Sequence, residues 1–326
     1  MSVLRVRPLA VVLAVQVVLG AALIWAIASG ALSDLFGGGD DGGGVSTPAT
    51  TAAGAPPPTS PTLSSAPPPA PRARVDRFDG GRAMGWARRQ VALGPRPAGS
   101  EAQRRAAEFL RAALPSGRYV PVGRGLRNIV GRLPGRGAPI VLIAHYDTTP
   151  VPGYLGADNS AAAVGAILEL ARALRHDPPG RPVEYLLTDG EEAPTYPVQG
   201  NFYRQGLRGS RYAAAHPPRP AAVIVLDFVG QKGLRLLHEP GSDAALWRRL
   251  RGAAQRVGVG AVFPSGDQNE VLDDHTPFAR RGVPAIDLID FDYPCWQKPC
   301  DTLDKLSTRS LDAAGEAVLE LVRRLR

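Results

Sequence analysis

Cysteine occurs twice in 326 residues, histidine five times, and aromatic residues make up only 6% of the chain. Two cysteines cannot frame a disulfide-rich scaffold or supply a cysteine-based zinc finger. Lysine is almost missing too. Lys232, Lys298 and Lys305 are the only lysines among 38 basic residues, so the net charge of +8 is carried by scattered arginines. No basic run interleaves with aromatics as a nucleic-acid groove requires, which excludes nucleic acid as the partner. A charged fraction of 21% beside 44% hydrophobic residues excludes wholesale disorder. The length suits one large α/β domain with appendages.

Long apolar runs are confined to the start. Arg5 and Arg7 precede a run from Pro8 to Leu35 that meets no charge before Asp34. About 24 such residues can cross a bilayer as a helix, and the core of a cleaved signal is shorter. Arginines before the run, and none after it until Arg72, place the N-terminus in the cytoplasm and the remainder outside the membrane. The alternative is a cleaved signal peptide, with Ala26-Ile27-Ala28 as the cut site; either way the domain is exported, anchored or secreted. Residues 1–36 are thus read as a cytoplasmic stub and transmembrane anchor. Residues 37–74 are rich in Gly, Asp, Thr, Ser, Ala and Pro and carry almost no large apolar side chain. Such a segment buries too little to offset its ordering entropy, and its Pro-rich half reads as an extended spacer.

The folded domain is expected over 75–326. Arg82–Leu114 has helical periodicity, broken at Gly94-Pro95-Arg96-Pro97. Short, nearly continuous runs of Val, Ile and Leu follow at Asn128–Leu133, Pro139–His145, Pro182–Thr188, Ala221–Phe228 and Pro284–Ile289. Strands buried on both faces read this way. Amphipathic stretches lie between them or follow them: Ser160–Leu174, Tyr203–Ala215, Asp243–Val257 and Ser307–Leu325. The alternation predicts an α/β fold with a mostly parallel, twisted central sheet and helices on both faces.

Ligands bind such sheets beyond the carboxyl ends of the strands. There the sequence places His145-Tyr146-Asp147, Asp189-Gly190-Glu191-Glu192, Asp227, and Asp290-Phe291-Asp292. An imidazole and several carboxylates gathered on one rim point to metal chemistry. Asp147, two residues past His145, is placed to hydrogen-bond the imidazole and fix its tautomer. Adjacent Glu191 and Glu192 cannot face the same way, so one can bind a cation while the other serves as a base. His176, His216 and His238 stand in polar contexts and read as surface residues.

These residues occur in order with Gly156-Ala157-Asp158-Asn159-Ser160, Leu168-Glu169-Leu170, Asp273-Asp274-His275-Thr276-Pro277-Phe278, Arg280-Arg281-Gly282-Val283-Pro284, and Trp296 near Asp301-Thr302-Leu303-Asp304. The set resembles the zinc-dependent M28 peptidases, which include the glutaminyl cyclases, over about Arg82 to Arg326. The resemblance implies a phosphorylase/hydrolase-like fold with one or two zinc ions (Zn2+) at the rim. It implies Glu191 as the general acid/base, Glu192 as a zinc ligand, His145 as the second-zinc histidine, and Asp227 as a second-zinc ligand in the aminopeptidases or a proton-network carboxylate in the cyclases. Asp273 stands where cyclases keep a carboxylate beside the substrate, and His275 would support that loop. Two positions depart from the pattern. The metal-bridging aspartate falls on Asn159, with Asp158 beside it as a substitute ligand, and the last histidine ligand falls on Gln297. Amides are poor zinc ligands. Cys295 and Cys300 bracket that last loop and can close a disulfide outside the cell. The expected substrate is the N-terminus of a peptide or protein, with cyclisation of N-terminal glutamine ahead of aminopeptidase action. An impaired homologue that only binds peptides is the third reading.

Overall fold

A computed structural model describes residues 68–325, and the expected membrane anchor lies outside that range, as does the spacer up to residue 67. No helix among the described residues is long and apolar enough to cross a membrane. Ordered packing begins ahead of Val75: Ala70 is buried against the main core, and the Arg74 amide donates to Val257 O at 2.8 Å.

Six strands form one sheet in the order β1-β2-β4-β3-β5-β6. They are β1 (Arg118–Gly123), β2 (Leu126–Leu133), β3 (Ile140–His145), β4 (Val183–Thr188), β5 (Ala222–Leu226) and β6 (Ala285–Leu288). The last four are parallel, with β3 at their centre, between β4 and β5. Every residue of β3 and β5 is buried, as their unbroken apolar runs require. The β1–β2 hairpin adds two antiparallel strands to this parallel set, so the sheet is mixed. Outermost β1 is half exposed, contains Pro121, and breaks register between Pro121 and Gly123. Its weak pattern and internal proline hide it from a sequence reading.

Helices cover both faces. On one side lie α1 (Gly80–Val91), α2 (Glu101–Ala113), α3 (Ala163–His176), α6 (Ala244–Arg256) and α8 (Thr308–Arg324), around the larger apolar core. The other side carries α5 (Arg208–Ala215) and the short α7 (Thr276–Ala279) over Val141, Ile143, Val223 and Val225. Side-chain caps start most of the helices: Asp79, Ser100, Asp243 and Ser307 each accept from the amide three residues on. Where α1 crosses α3 the helices touch through Gly165, whose missing Cβ would collide with Ala83 O. The single helix expected at Tyr203–Ala215 is two. A short α4 (Phe202–Gln205) ends at Gly206, and Leu207 turns into α5 with φ +53°.

Candidate active site

The carboxyl ends of β3, β4 and β5 deliver His145, the Asp189–Glu192 loop and Asp227 to one place. His145, Glu191 and Glu192 present ligand atoms that all lie within 4.8 Å of one another. His145 Nε2 is 3.6 Å from Asp227 Oδ1 and 3.9 Å from Glu191 Oε2. All four side chains are buried.

Asp147 builds this cluster differently from the expectation. The His145 Nδ1 contact is to the main-chain oxygen of Asp147 at 3.1 Å, with the carboxylate at 3.6 Å. The carboxylate instead accepts the amides of Gly190, Glu191 and Glu192 at 3.0–3.2 Å. It therefore fixes the backbone that carries both glutamates, while the neighbouring carbonyl orients the ring. A donor at Nδ1 leaves Nε2 as the nitrogen facing Asp227 and Glu191. Next to it, Asp189 accepts from Gln103 at 2.6 Å, the Arg127 amide at 2.8 Å and Tyr146 Oη at 3.0 Å. This anchor ties the end of β4 to β2 and α2.

The loop before α3 presents Asp158 and Asn159 differently. Asp158 Oδ1 accepts the Gly230 amide at 2.8 Å, and its Oδ2 is buried without a hydrogen-bond partner. Asn159 turns the other way and donates Nδ2 to Glu192 Oε1 at 3.0 Å. Asp301 holds the turn by accepting the amides of both residues, at 2.9 and 3.1 Å. The buried Arg96 guanidinium donates to Gly94 O and Gly156 O on either side of the same loop, and burial lowers its pKa to about 10. Gly156 sits at φ +57° in a place where a Cβ would strike Asn159 O, so the turn requires glycine. Asp158, expected among the metal ligands, braces the loop through Oδ1, and Asn159 lines the cavity.

Gln297 completes the pattern. Its Nε2 lies 3.4 Å from Glu192 Oε2, so each Glu192 oxygen faces an amide donor. The Cys295–Cys300 disulfide closes the loop that carries Gln297 and Trp296.

A cavity of about 440 Å³ opens above the cluster. Asn159, Glu191, Glu192, Asp227, Glu270, Asp273 and Gln297 are its charged and amide lining. Phe202, Phe228, Phe291 and Trp296 are among its apolar walls, with Phe291 and Trp296 in ring contact at 4.9 Å. Trp296 is 38% exposed and stands at the rim.

Burial dominates the electrostatics. It raises the Glu191 carboxyl well above the usual range, helped by Glu192 and Asp273 and opposed by His145. Glu192 is raised for the same first reason, as is Asp273, which is pushed up to about 7. Burial disfavours a charged His145, but Asp147, Asp227 and Glu191 outweigh it and hold its proton well above pH 6.5.

Behind Asp273 stands a buried group of carboxylates around His275, of which Glu239 and Asp287 were not anticipated from the sequence. Asp274 accepts the Thr188 hydroxyl. Asp287 lies 3.6 Å from His275 Nδ1, and His275 Nε2 is 3.1 Å from Glu239 Oε2. His275 therefore supports the Asp273 loop through two carboxylates. Asp287 did leave a signal: one carboxylate inside the apolar run Ala285–Ile289. Of the remaining histidines, His216 stacks on Tyr212 and His238 pairs with Asp267 at 2.9 Å, away from the cavity.

Two halves of the site differ in their fit to a metal ion. On the His145 side, His145 Nε2 and Asp227 Oδ1 are buried without hydrogen-bond partners, and so is Asn159 Oδ1. An imidazole nitrogen and carboxylate oxygens converging there fit one divalent cation such as zinc. On the Glu192 side the neighbours are NH2 groups, which bind no cation. That half does not fit.

Residues 128–322, more than half of the chain, match the model of peptidase family M28. The chain belongs to that family. The glutaminyl-peptide cyclotransferase-like protein of Mus musculus is 30% identical over 256 residues, covering 64% of this chain and 66% of that protein. Aminopeptidase YwaD of Bacillus subtilis is 25% identical over 199 residues, 56% of this chain and 40% of YwaD. The crystal structure of Bacteroides thetaiotaomicron glutaminyl cyclase bound to N-acetylhistamine superposes with a TM-score of 0.71 at 25% identity, over 78% of this chain and all of that one. Against these curated relatives the M28 chain spans less than two thirds of their length.

Proposed function

We propose that this M28 domain is an enzyme acting on peptide N-termini, and that it closes N-terminal glutamine to pyroglutamate with release of ammonia. The observation that carries the reading is a buried carboxyl, Asp273, brought to the cavity by a different loop from the one that carries Glu191 and Glu192. Asp273 faces the same space as Glu191, is backed by Asp274 and Asp287, and is held near neutrality by burial. Cyclisation needs a proton carrier with a neighbour that steadies it, because one proton leaves the attacking amine and one joins the leaving group.

Glu191 takes the proton from the α-amine as the amine nitrogen bonds to the side-chain amide carbon. Glu191 then returns that proton to the departing NH2, which leaves as ammonia when its carbon–nitrogen bond breaks. Asp273 orients the amide through its own proton, and the aromatic walls exclude the water that would compete. His145 and Asp227 are the residues that would hold a zinc ion. A cation there supplies Lewis acidity toward a carbonyl oxygen.

An aminopeptidase reading is favoured by the same His145–Asp227 pair, because these residues would hold a cation that supplies Lewis acidity to water, and Glu191 stands 3.9 Å from His145 Nε2 to accept the proton. The amide-saturated Glu192 favours a peptide binder without turnover. One experiment separates the three. Mass spectrometry of a Gln-initiated peptide incubated with the pure domain should show loss of ammonia. Release of free glutamine would establish hydrolysis. An unchanged peptide that nonetheless binds would end the enzymatic reading.

We also propose that the apolar run Pro8–Leu35 holds the domain outside the cytoplasmic membrane. The disulfide suits that compartment. The full chain should stay in the membrane pellet after alkaline carbonate extraction, and recovery in the supernatant would overturn the anchor.

A further inference from the structure

A second concavity lies behind the catalytic loop, between the tip of the β1–β2 hairpin and helices α4 and α5. It encloses about 440 Å³, and Arg124, Arg204, Arg208 and Arg211 supply its charge with no acidic residue in the lining. None of the ion pairs found among the described residues uses any of the four. Arg211 Nε is buried without a hydrogen-bond partner. Arg124 sits between two positive-φ glycines at the hairpin tip, with φ +51° of its own. Arg124 and Arg204 are exposed while Arg208 and Arg211 are half-buried, so the concavity offers one sign of charge to an incoming anion.

The pocket opens on the same rim as the catalytic cavity. Antiparallel pairing of β2 with β4 runs Ile129 against Leu187, which carries the start of β2 alongside Gly190. The Arg127 amide bonds Asp189 there at 2.8 Å. Arg208 belongs to both sites, since its Nε and Nη2 donate to Gly190 O at 3.1 Å and Glu192 O at 2.8 Å. The loop from Pro194 to Gln205 forms the partition. Pro194, Arg204 and Gln205 line the basic side, while Tyr196, Val198 and Phe202 line the catalytic side.

We propose that the arginine pocket is a subsite for carboxylate side chains of a peptide whose N-terminus lies in the catalytic cavity. The proposal rests on the reading of the domain as an enzyme of peptide N-termini, and it narrows the substrate class to peptides with acidic residues downstream. Guanidinium forks match carboxylates two bonds at a time, and the exposed forks of Arg124 and Arg204, with the charge of Arg208 and Arg211 beside them, select acidic over neutral side chains.

Two arms test the pocket and keep its failure apart from that of the reaction. In the first, acetyl-Ala-Glu-Glu-Glu-Ala-amide and its triple-Gln counterpart are titrated into the full domain by calorimetry. The acidic peptide should bind about tenfold more tightly, and the preference should shrink between about 50 and about 300 mM salt. Arg124→Asn combined with Arg204→Gln should remove it; Asn is chosen because it accepts the left-handed backbone. Equal binding of both peptides, or an unchanged preference in the double variant, would overturn the proposal. In the second arm, Gln-Phe-Ala-Glu-Glu-Glu-Ala should show a KM about tenfold below that of its neutral counterpart, with kcat unchanged. The double variant should equalise the two while leaving turnover of the neutral peptide intact. Equal KM values in the unaltered domain would overturn the subsite. If neither peptide is turned over while the acidic one binds selectively, the reaction reading falls and the anion site stands.

Discussion

Glu192 illustrates how two side chains can redirect a site. Its oxygens face the NH2 groups of Asn159 and Gln297 at 3.0 and 3.4 Å, so the charge that would hold a cation is spent on hydrogen bonds. Replacing donors by ligands should reverse this. Asn159→Asp with Gln297→His is expected to raise zinc affinity by about tenfold or more, read by competition with a chromophoric chelator. Unchanged affinity would mean that the cation sits wholly on the His145 side. Glu191 carries the opposite expectation. Glu191→Gln keeps size and burial but cannot accept a proton, so kcat on a Gln-initiated peptide should fall by about 10²- to 10⁴-fold with the folded state retained. A variant that loses less than about tenfold would remove Glu191 from the chemistry. The positions of both glutamates were legible in the sequence from their place after a buried strand. Their neighbours' bonding was not. Asp147 could serve the imidazole or the backbone amides with the same spacing, and only the fold shows that it serves the amides.

Strands β3 to β6 were readable because they are buried on both faces and nearly continuous in apolar side chains, with Glu184 and Asp287 as interruptions. The hairpin strand β1 was not, because a half-exposed edge strand leaves no such run. Helix contacts are equally invisible until two elements meet. Gly165 looks like a weak point of α3, yet it is where α1 comes closest, against Ala83 O. Gly165→Ala should cost about 1–3 kcal/mol in urea unfolding, although alanine is the better helix former. A neutral result would show that α1 can step back.

The whole domain carries an unusual load of buried acid along one rim. Burial holds Glu191, Asp158 and Asp287 well above the carboxylate range, and Asp273 and Asp274 near 7. Against its burial, His145 is raised as well. A group that grips its proton more tightly when folded adds stability below its unfolded pKa and loses it as pH climbs through the folded value. Glu239 and Glu320 act in the other direction. Burial would raise them, but the bond from His275 and the arginines around Glu320 lower them, so their contribution disappears only in acid. Between about pH 5 and about pH 8 the rim decides the sign. Chelator-treated protein should therefore show a higher urea midpoint near pH 5.5 than near pH 8, and added zinc should recover much of the difference at the higher pH. A midpoint that rises with pH would contradict this account of the rim.

The outer border of the sheet has its own logic. Pro121 offers no amide, and the slipped register beside Gly123 breaks the row of groups that a foreign strand would need. Crowded copies of the domain that approach along β1 therefore meet a border ill-suited to extension by a further strand.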